Sequence, residues 1–252
     1  MSKNGSQGAN YAISQNFLTS RATIQRCLSL AELNNRDTVL EIGTGKGHIT
    51  RALAGRCKRV LTYEIDPRLC RALERKLPDN VQLVRGDFLR VPLPKGPYKV
   101  FANIPFSLTS AIVGKLTAGP NLPSHMYLFM EKGAAKRFCG LPGESRASLL
   151  LKPWFDVRIL YHFRREDFHP APRTDVVLVS FLRRTVPDLT AAERWSYDRF
   201  ITQGLAGRLP LTRRQVGTAL RRAGLEPLPT SANMRYVQWL CLFRAWQGFK
   251  GT

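Results

Sequence analysis

The chain has 252 residues, enough to bury a full core and to divide into one large domain and one small one. Its 39 Lys and Arg outnumber its 18 Asp and Glu, and the resulting charge of +21 is spread along the sequence. That pattern describes a basic folded surface rather than a basic tail, and it implies a polyanionic partner, nucleic acid before an anionic membrane. Cys27, Cys57, Cys70, Cys139 and Cys241 form no Cys-x-x-Cys pair and have no ligand spacing with the four histidines, which argues against a disulfide framework and against a zinc site.

Residues 1–10 are polar, lack an apolar signal-peptide segment and are expected to be disordered. No apolar run reaches the roughly 18 residues of a membrane span, so a cytoplasmic protein is expected. Tyr11 to Leu18 forms a lead-in containing Gln15 and Asn16, after which Thr19 or Ser20 can cap a helix through Ile24, Cys27, Leu28 and Leu33. A strand over 37–42 runs into Gly43-Thr44-Gly45-Lys46-Gly47, and a helix starts at His48. Strand, glycine turn and helix make the nucleoside- or phosphate-binding corner of a doubly wound sheet. His48 occupies the third glycine position of a dinucleotide fingerprint, which counts against a nucleotide-dependent oxidoreductase.

The second strand, 59–66, brings Glu64, Ile65 and Asp66 about 20 residues past the glycine loop, where a carboxylate can take both hydroxyls of a ribose. Pro67 opens a basic helix to Lys76. The third strand, 81–85, ends in Gly86-Asp87-Phe88, which places Asp87 to accept from an adenine amino group with Phe88 beside the ring; a turn acid is the plainer alternative. The fourth, 98–102, stops at Asn103-Ile104-Pro105-Phe106, because proline cannot donate to a sheet ladder and biases Ile104 toward an extended conformation. Asn103 then faces a cleft. Its carbonyl oxygen and a strand-end backbone carbonyl can accept the two hydrogens of a ring amino group while Phe106 stacks on the ring.

Farther on, a buried strand over 126–130 precedes Lys132, Lys136 and Arg137 on a helix, and residues 149–163 supply a helix end and a strand. Phe168 to Asp175, with Pro170, Pro172 and Arg173, reads as a stiffened loop before the last strand, 176–182. Beyond Arg183 the texture becomes helical: Trp195, Phe200, Ile201 and Leu205 recur at helical spacing, as do Val216, Ala219 and Leu220, and then Val237, Leu240, Cys241 and Phe243. Arg208, Arg213, Arg214, Arg221 and Arg222 are the RNA-facing candidates there. The expected architecture is α/β, a Rossmann-like sheet with helices on both faces over 11–184, followed by a small all-α domain over 185–252.

Ser14-Gln15-Asn16-Phe17-Leu18-Thr19, Glu41 to Gly47, Glu64-Ile65-Asp66, Gly86-Asp87-Phe88 and Asn103-Ile104-Pro105-Phe106, as an ordered set, resemble the ribosomal RNA adenine-N(6)-methyltransferases. The Ser-Gln-Asn-Phe and Asn-Ile-Pro-Phe forms are most similar to the Erm family, which modifies large-subunit (23S) rRNA and confers macrolide–lincosamide–streptogramin B resistance. The resemblance implies a class I methyltransferase fold and S-adenosylmethionine as cofactor, leaving as S-adenosylhomocysteine. It places Gln15, Asn16, Leu18, Gly43 and Gly45 near the methionine and ribose portions, Glu64 and Ile65 at the ribose, and Asp87 and Phe88 at the adenine. Asn103, with the Ile104 carbonyl, would lie between the methyl group and the target amine, with Phe106 and Phe168 clamping the flipped base. It implies no metal and an rRNA partner met before full ribosome assembly; no obligate protein partner is evident, and a monomer is expected. Two alternatives stay open: a small-subunit dimethyladenosine transferase, and a non-catalytic nucleic-acid-binding descendant of the fold.

Overall fold

The structure, a computed structural model, describes residues 16–226 and 233–250. The expected disordered stretch 1–10 and the candidate Gln15 lie outside the described residues. The elements in order are β1 (Phe17–Leu18), α1 (Arg21–Leu30), β2 (Thr38–Ile42), α2 (His48–Ala54), β3 (Arg59–Glu64), α3 (Pro67–Leu73), β4 (Val81–Arg85), β5 (Lys99–Asn103), α4 (Thr109–Ala118), β6 (His125–Glu131), α5 (Lys132–Cys139), α6 (Arg146–Leu151), β7 (Phe155–His162), β8 (Phe168–His169), β9 (Val176–Arg183), α7 (Arg194–Leu205), α8 (Arg213–Arg222) and α9 (Tyr236–Lys250).

The chain divides into two compact units: one holds everything up to Ala135 together with Arg158–Arg183, the other Lys136–Val157 together with the residues from Arg184 onward. The helical unit therefore takes in 136–157 as well as the expected 185–252. Among the described residues, no helix is long and apolar enough to cross a membrane.

A seven-stranded sheet of order β4-β3-β2-β5-β6-β9-β7, flanked by helices, dominates the first unit. Strands β2 to β6 run parallel and β9 is antiparallel to β6. Buried parallel strands must be apolar on both faces, and β2, β5 and β6 are: Val39, Leu40, Val100, Phe101, Ala102 and Met126 to Met130 are all at most 2 % exposed. Ile24, Cys27 and Leu28 of α1 and Ile49 and Leu53 of α2 share one core cluster with Val39, Val60, Phe101 and Phe129. Ser20 caps α1, its side chain accepting from the Thr23 N–H at 3.2 Å. Asp66 caps α3, and Pro67 fills the first helical position, where no N–H is needed. That helix ends at Leu73, short of the expected Lys76. Strand order reverses between β2 and β5, so their carboxyl ends diverge and leave a crevice, the place where open α/β sheets bind ligands.

In the second unit, Tyr197 and Phe200 of α7 pack with Trp239, Phe243 and Trp246 of α9 through edge-to-face and tilted ring contacts, and Ile201 is buried on the same face of α7. Trp195 departs from the core role that its spacing suggests and is 72 % exposed. The buried face of α7 is Tyr197, Phe200, Ile201 and Gly204, spaced i, i+3, i+4, i+7, and two residues' offset turns Trp195 to the opposite side, beneath the Arg199 guanidinium. Leu205 and Val237 are likewise partly exposed. Gly204 is buried because nothing larger fits: an added Cβ would stand 2.5 Å from the Trp239 ring and 2.9 Å from Leu209. Gly204→Ala should lower the unfolding free energy by roughly 1–3 kcal/mol through overpacking, read as a shifted denaturant midpoint.

Candidate functional site

A cavity of about 420 Å³ occupies the crevice at the carboxyl ends of β2, β3, β4 and β5. Its floor is the Gly43–Gly47 loop, in which Gly43, Gly45 and Gly47 have φ of 80°, 56° and 77°, the left-handed region that only glycine enters freely. Gly45 has a second reason to lack a side chain: its Cβ would fall 2.8 Å from the Phe17 ring. Phe17 thus closes over the loop, and the Lys46 ammonium lies 5.2 Å from its ring centroid.

Three carboxylates line the cavity. Glu64, 3 % exposed, accepts from the Gly45 N–H at 2.8 Å and from the Asp66 N–H at 2.9 Å, so each oxygen is held and each keeps a lone pair for a ligand. Asp87 accepts from the Leu89 N–H at 2.9 Å and lies 3.5 Å from the Arg90 guanidinium, so it serves the turn while lining the cavity. Glu41 is buried beneath the loop, where one oxygen accepts from Thr50 at 2.7 Å and from Thr62 at 2.8 Å, and Thr44 joins Thr62 at 2.7 Å. Burial, and secondarily the Glu64 charge, outweigh the two hydroxyl bonds and push the Glu41 pKa up to about 8.

Phe88, 6 % exposed, packs against Tyr63, and its carbonyl accepts from the Lys115 ammonium at 2.6 Å. At the end of β5, the Asn103 amide nitrogen donates to the Asn16 carbonyl at 2.7 Å. The network assigns the amide: its donor end is committed to the chain, and its oxygen is left as the acceptor at the cavity wall. Ile104 and Pro105 follow in extended backbone, and Phe106 opens a single turn of 3-10 helix, half-buried at the cavity.

Of the sequence candidates, Asn16, Leu18, Gly43, Gly45, Glu64, Ile65, Asp87, Phe88, Asn103, Ile104 and Phe106 all line this one cavity. Phe168 is not among the residues that line it. β8 pairs with β1 so that Phe168 stands opposite Leu18; both are buried, at 3 % and 2 % exposure, Phe168 lies edge-on to Phe163, and Leu18 also lines the cavity. Phe17, on the alternate face of β1, is the aromatic that reaches the cavity. The sequence reading missed it along with Glu41, Tyr63 and Lys46, all of which stand beside residues it did single out. Lys132 is paired with Asp175 at 3.5 Å. Lys136, Arg137, Arg173, Arg208, Arg213, Arg214, Arg221 and Arg222 are exposed, with no acidic partner among the described residues.

The family model for ribosomal RNA adenine dimethylase matches residues 7–225. The chain belongs to that family. It is 34 % identical to an rRNA adenine N-6-methyltransferase of Limosilactobacillus reuteri over 245 residues, 95 % of this chain and 98 % of the relative. An Escherichia coli protein of the same name is also 34 % identical, over 96 % of this chain and 98 % of its own. The crystal structure of the 23S rRNA methyltransferase ErmE superposes with a TM-score of 0.83 at 33 % identity, covering 92 % of this chain and all of that one. A dimethyladenosine transferase from Plasmodium falciparum, at TM-score 0.74 and 21 % identity, shares the fold over 92 % of this chain and 98 % of its own. The chain is accordingly an S-adenosylmethionine-dependent rRNA adenine N(6)-methyltransferase, and the expected α/β class with its helical C-terminal region holds. The cavity fits that cofactor in kind: a glycine floor without Cβ atoms, fixed carboxylate acceptors for hydroxyl and amino groups, and apolar walls from Phe88 and Ile65.

Because the folded Glu41 carboxyl holds its proton well above the ordinary value of 4.5, its contribution to stability is full below about pH 4.5 and is lost as pH rises toward about 8. Glu41→Gln keeps the acceptor oxygen for Thr50 and Thr62. The variant should show a flatter stability-versus-pH curve across that window, measured by denaturant unfolding at several pH values; parallel curves would remove Glu41 as the titrating group.

Proposed function

We propose that the chain transfers a methyl group to the exocyclic amine of one adenine in the peptidyl-transferase loop of 23S rRNA, and that this modification confers macrolide–lincosamide–streptogramin B resistance. Support comes from the likeness to ErmE along the whole of that chain and from a mycinamicin-resistance protein of Micromonospora griseorubida, 28 % identical over 95 % of this chain and 80 % of that one. The observation that carries the chemistry is the Asn103 amide, locked to the Asn16 carbonyl with its oxygen as the free acceptor.

S-adenosylmethionine, when bound, supplies an electrophilic methyl on a sulfonium. Asn16, Leu18, Gly43 and Gly45 hold its methionine and ribose portions, Glu64 and Ile65 the ribose, and Asp87 with Phe88 the adenine. The adenine amine of the RNA is a weak nucleophile, since its lone pair is conjugated into the ring. Asn103 Oδ1 and the Ile104 carbonyl accept its two hydrogens and draw it toward tetrahedral geometry, while Phe106 stacks on the ring. The proton becomes acidic once the methyl has arrived, and water takes it. The target must be unpaired or extruded, at a cost of a few kcal/mol that stacking offsets. Lys132, Lys136, Arg137 and Arg173, with the α8 arginines and Arg208, contact RNA phosphates. The substrate is protein-free or partly assembled 23S rRNA in the cytoplasm, met by a monomer.

Labelled S-adenosylmethionine incubated with deproteinised total RNA should label the large-subunit band alone; label in the small-subunit band would overturn the target. Asn103→Ala removes an acceptor needed as the amine rehybridises, so single-turnover methyl transfer at saturating RNA should fall roughly a hundredfold or more with RNA affinity kept. A near wild-type single-turnover rate would make Asn103 a turn residue only. Glu64→Ala and Asp87→Ala should each weaken S-adenosylmethionine binding by roughly 1–3 kcal/mol in calorimetry, and affinities within twofold of wild type would sink those two assignments.

A further inference from the structure

A second cavity, about 640 Å³, opens beside the first where α1 meets α2, and His48 lines both. Its polar lining is Thr19, Arg21, Gln25, His48, Arg51 and Arg56, with no carboxylate among them. None of the three guanidinium groups has an acidic partner among the described residues. Like charges gather here, and two of them are fixed in place. Arg51 donates through Nη1 to the carbonyls of Lys46 at 3.2 Å and Gly47 at 3.1 Å, and Arg56 donates through Nε to the Leu33 carbonyl at 3.2 Å. Each keeps its other N–H groups free for a ligand, and the chain entropy of ordering those arginines is already spent. The concentrated positive field shows in His48, whose pKa is lowered first by burial and then by Arg51 and Lys46.

We propose that this groove binds phosphates of the RNA backbone near the target nucleotide, the proposal resting on the methyltransferase reading above. A planar donor fork with no acid to satisfy it suits a phosphodiester, whose oxygens accept in pairs. The volume exceeds what one inorganic phosphate fills and accommodates a phosphate with its flanking riboses. Because His48 lines both the groove and the methyl-transfer cavity, the two adjoin, and a strand whose adenine enters one can reach the other. The groove anchors the backbone in register and reads no base.

The test uses the full chain with a protein-free 23S rRNA transcript. Arg21→Gln/Arg56→Gln leaves Arg51, which also braces the glycine loop, untouched. Its slope of log affinity against log salt should be shallower than wild type by about 1.4, two contacts at roughly 0.7 each. The KM for RNA should rise several-fold with calorimetric S-adenosylmethionine affinity unchanged. Arg36→Gln/Arg75→Gln removes the same charge from exposed sites elsewhere on the unit and should move the slope by less than half as much. If the first double variant loses cofactor binding through misfolding, Arg21→Glu, exposed on the first turn of α1, carries the same slope measurement. A slope equal to wild type, or no shallower than the control pair gives, overturns the groove. A wild-type enzyme that methylates no RNA refutes the underlying reading instead, and the groove falls with it.

Discussion

The buried hydrogen bond from the Gly45 N–H to Glu64 fixes the site, because it ties the loop after β2 to the end of β3 across the sheet. It acts beside the Gly43 N–H bond to the Tyr63 carbonyl and the Thr44–Thr62 contact, and together they hold a loop in which every second residue, Gly43, Gly45 and Gly47, is left-handed. Beneath it, Glu41, Thr44, Thr50 and Thr62 form a closed network of hydroxyls around one carboxyl, and Thr50 lies on α2. Strand, loop, helix and neighbouring strand are thereby set in one arrangement. Glu41 has no cation beside it among the described residues: one oxygen accepts from two hydroxyls, and burial holds its pKa up at about 8.

Charge is sorted by partner. The chain carries +21 overall, yet three of its 18 acids line one cavity. A cationic sulfonium cofactor is favoured by the fixed carboxylates, whereas the arginine-bearing surfaces favour a polyanion. Opposite preferences on one small enzyme are compatible because Glu64 and Asp87 are held at the cavity by backbone N–H groups and Glu41 is kept neutral beneath it, while the arginines are exposed to a long, multiply charged chain.

Much of the site was legible because parallel strands deliver their last residues to one edge. Reading Gly43, Glu64, Asp87 and Asn103 as four successive strand ends required no knowledge of contacts, only the α/β alternation. What escaped the sequence depended on side-chain parity and on packing at a distance. Phe168 was read in a proline-stiffened loop, whereas Phe168–His169 pairs with β1 as a short strand and Phe168 is buried opposite Leu18. The same pairing puts Phe17 at the cavity. Trp195 followed helical spacing by residue type alone, while the direction of the α7 face is decided by Tyr197 and Gly204 against Trp239. Residues 136–157 join the helical unit through contacts no local pattern announces, such as Arg146 with Asp198 at 2.5 Å and Arg184 with Asp156 at 2.7 Å, all within that unit.

The neighbours of Asn103 bear on why the proposed reaction needs no general base. On the cavity wall it is followed by Ile104, Pro105 and Phe106, while the acids stand at the ends of other strands and are engaged by backbone N–H groups. In such apolar surroundings a hydrogen bond to the amide oxygen is electrostatically stronger than in water, and its loss leaves the amine without compensation. A carboxylate at the same place would attract the cationic sulfonium as strongly as it attracted the amine, and would favour the ground state over the reacting one. A neutral acceptor avoids this. Its interaction grows only as the nitrogen takes on positive charge, which is the property that distinguishes transition-state stabilisation from tight binding. The Asn16 carbonyl, by holding the other end of the amide, ensures that the oxygen and not the nitrogen faces that developing charge.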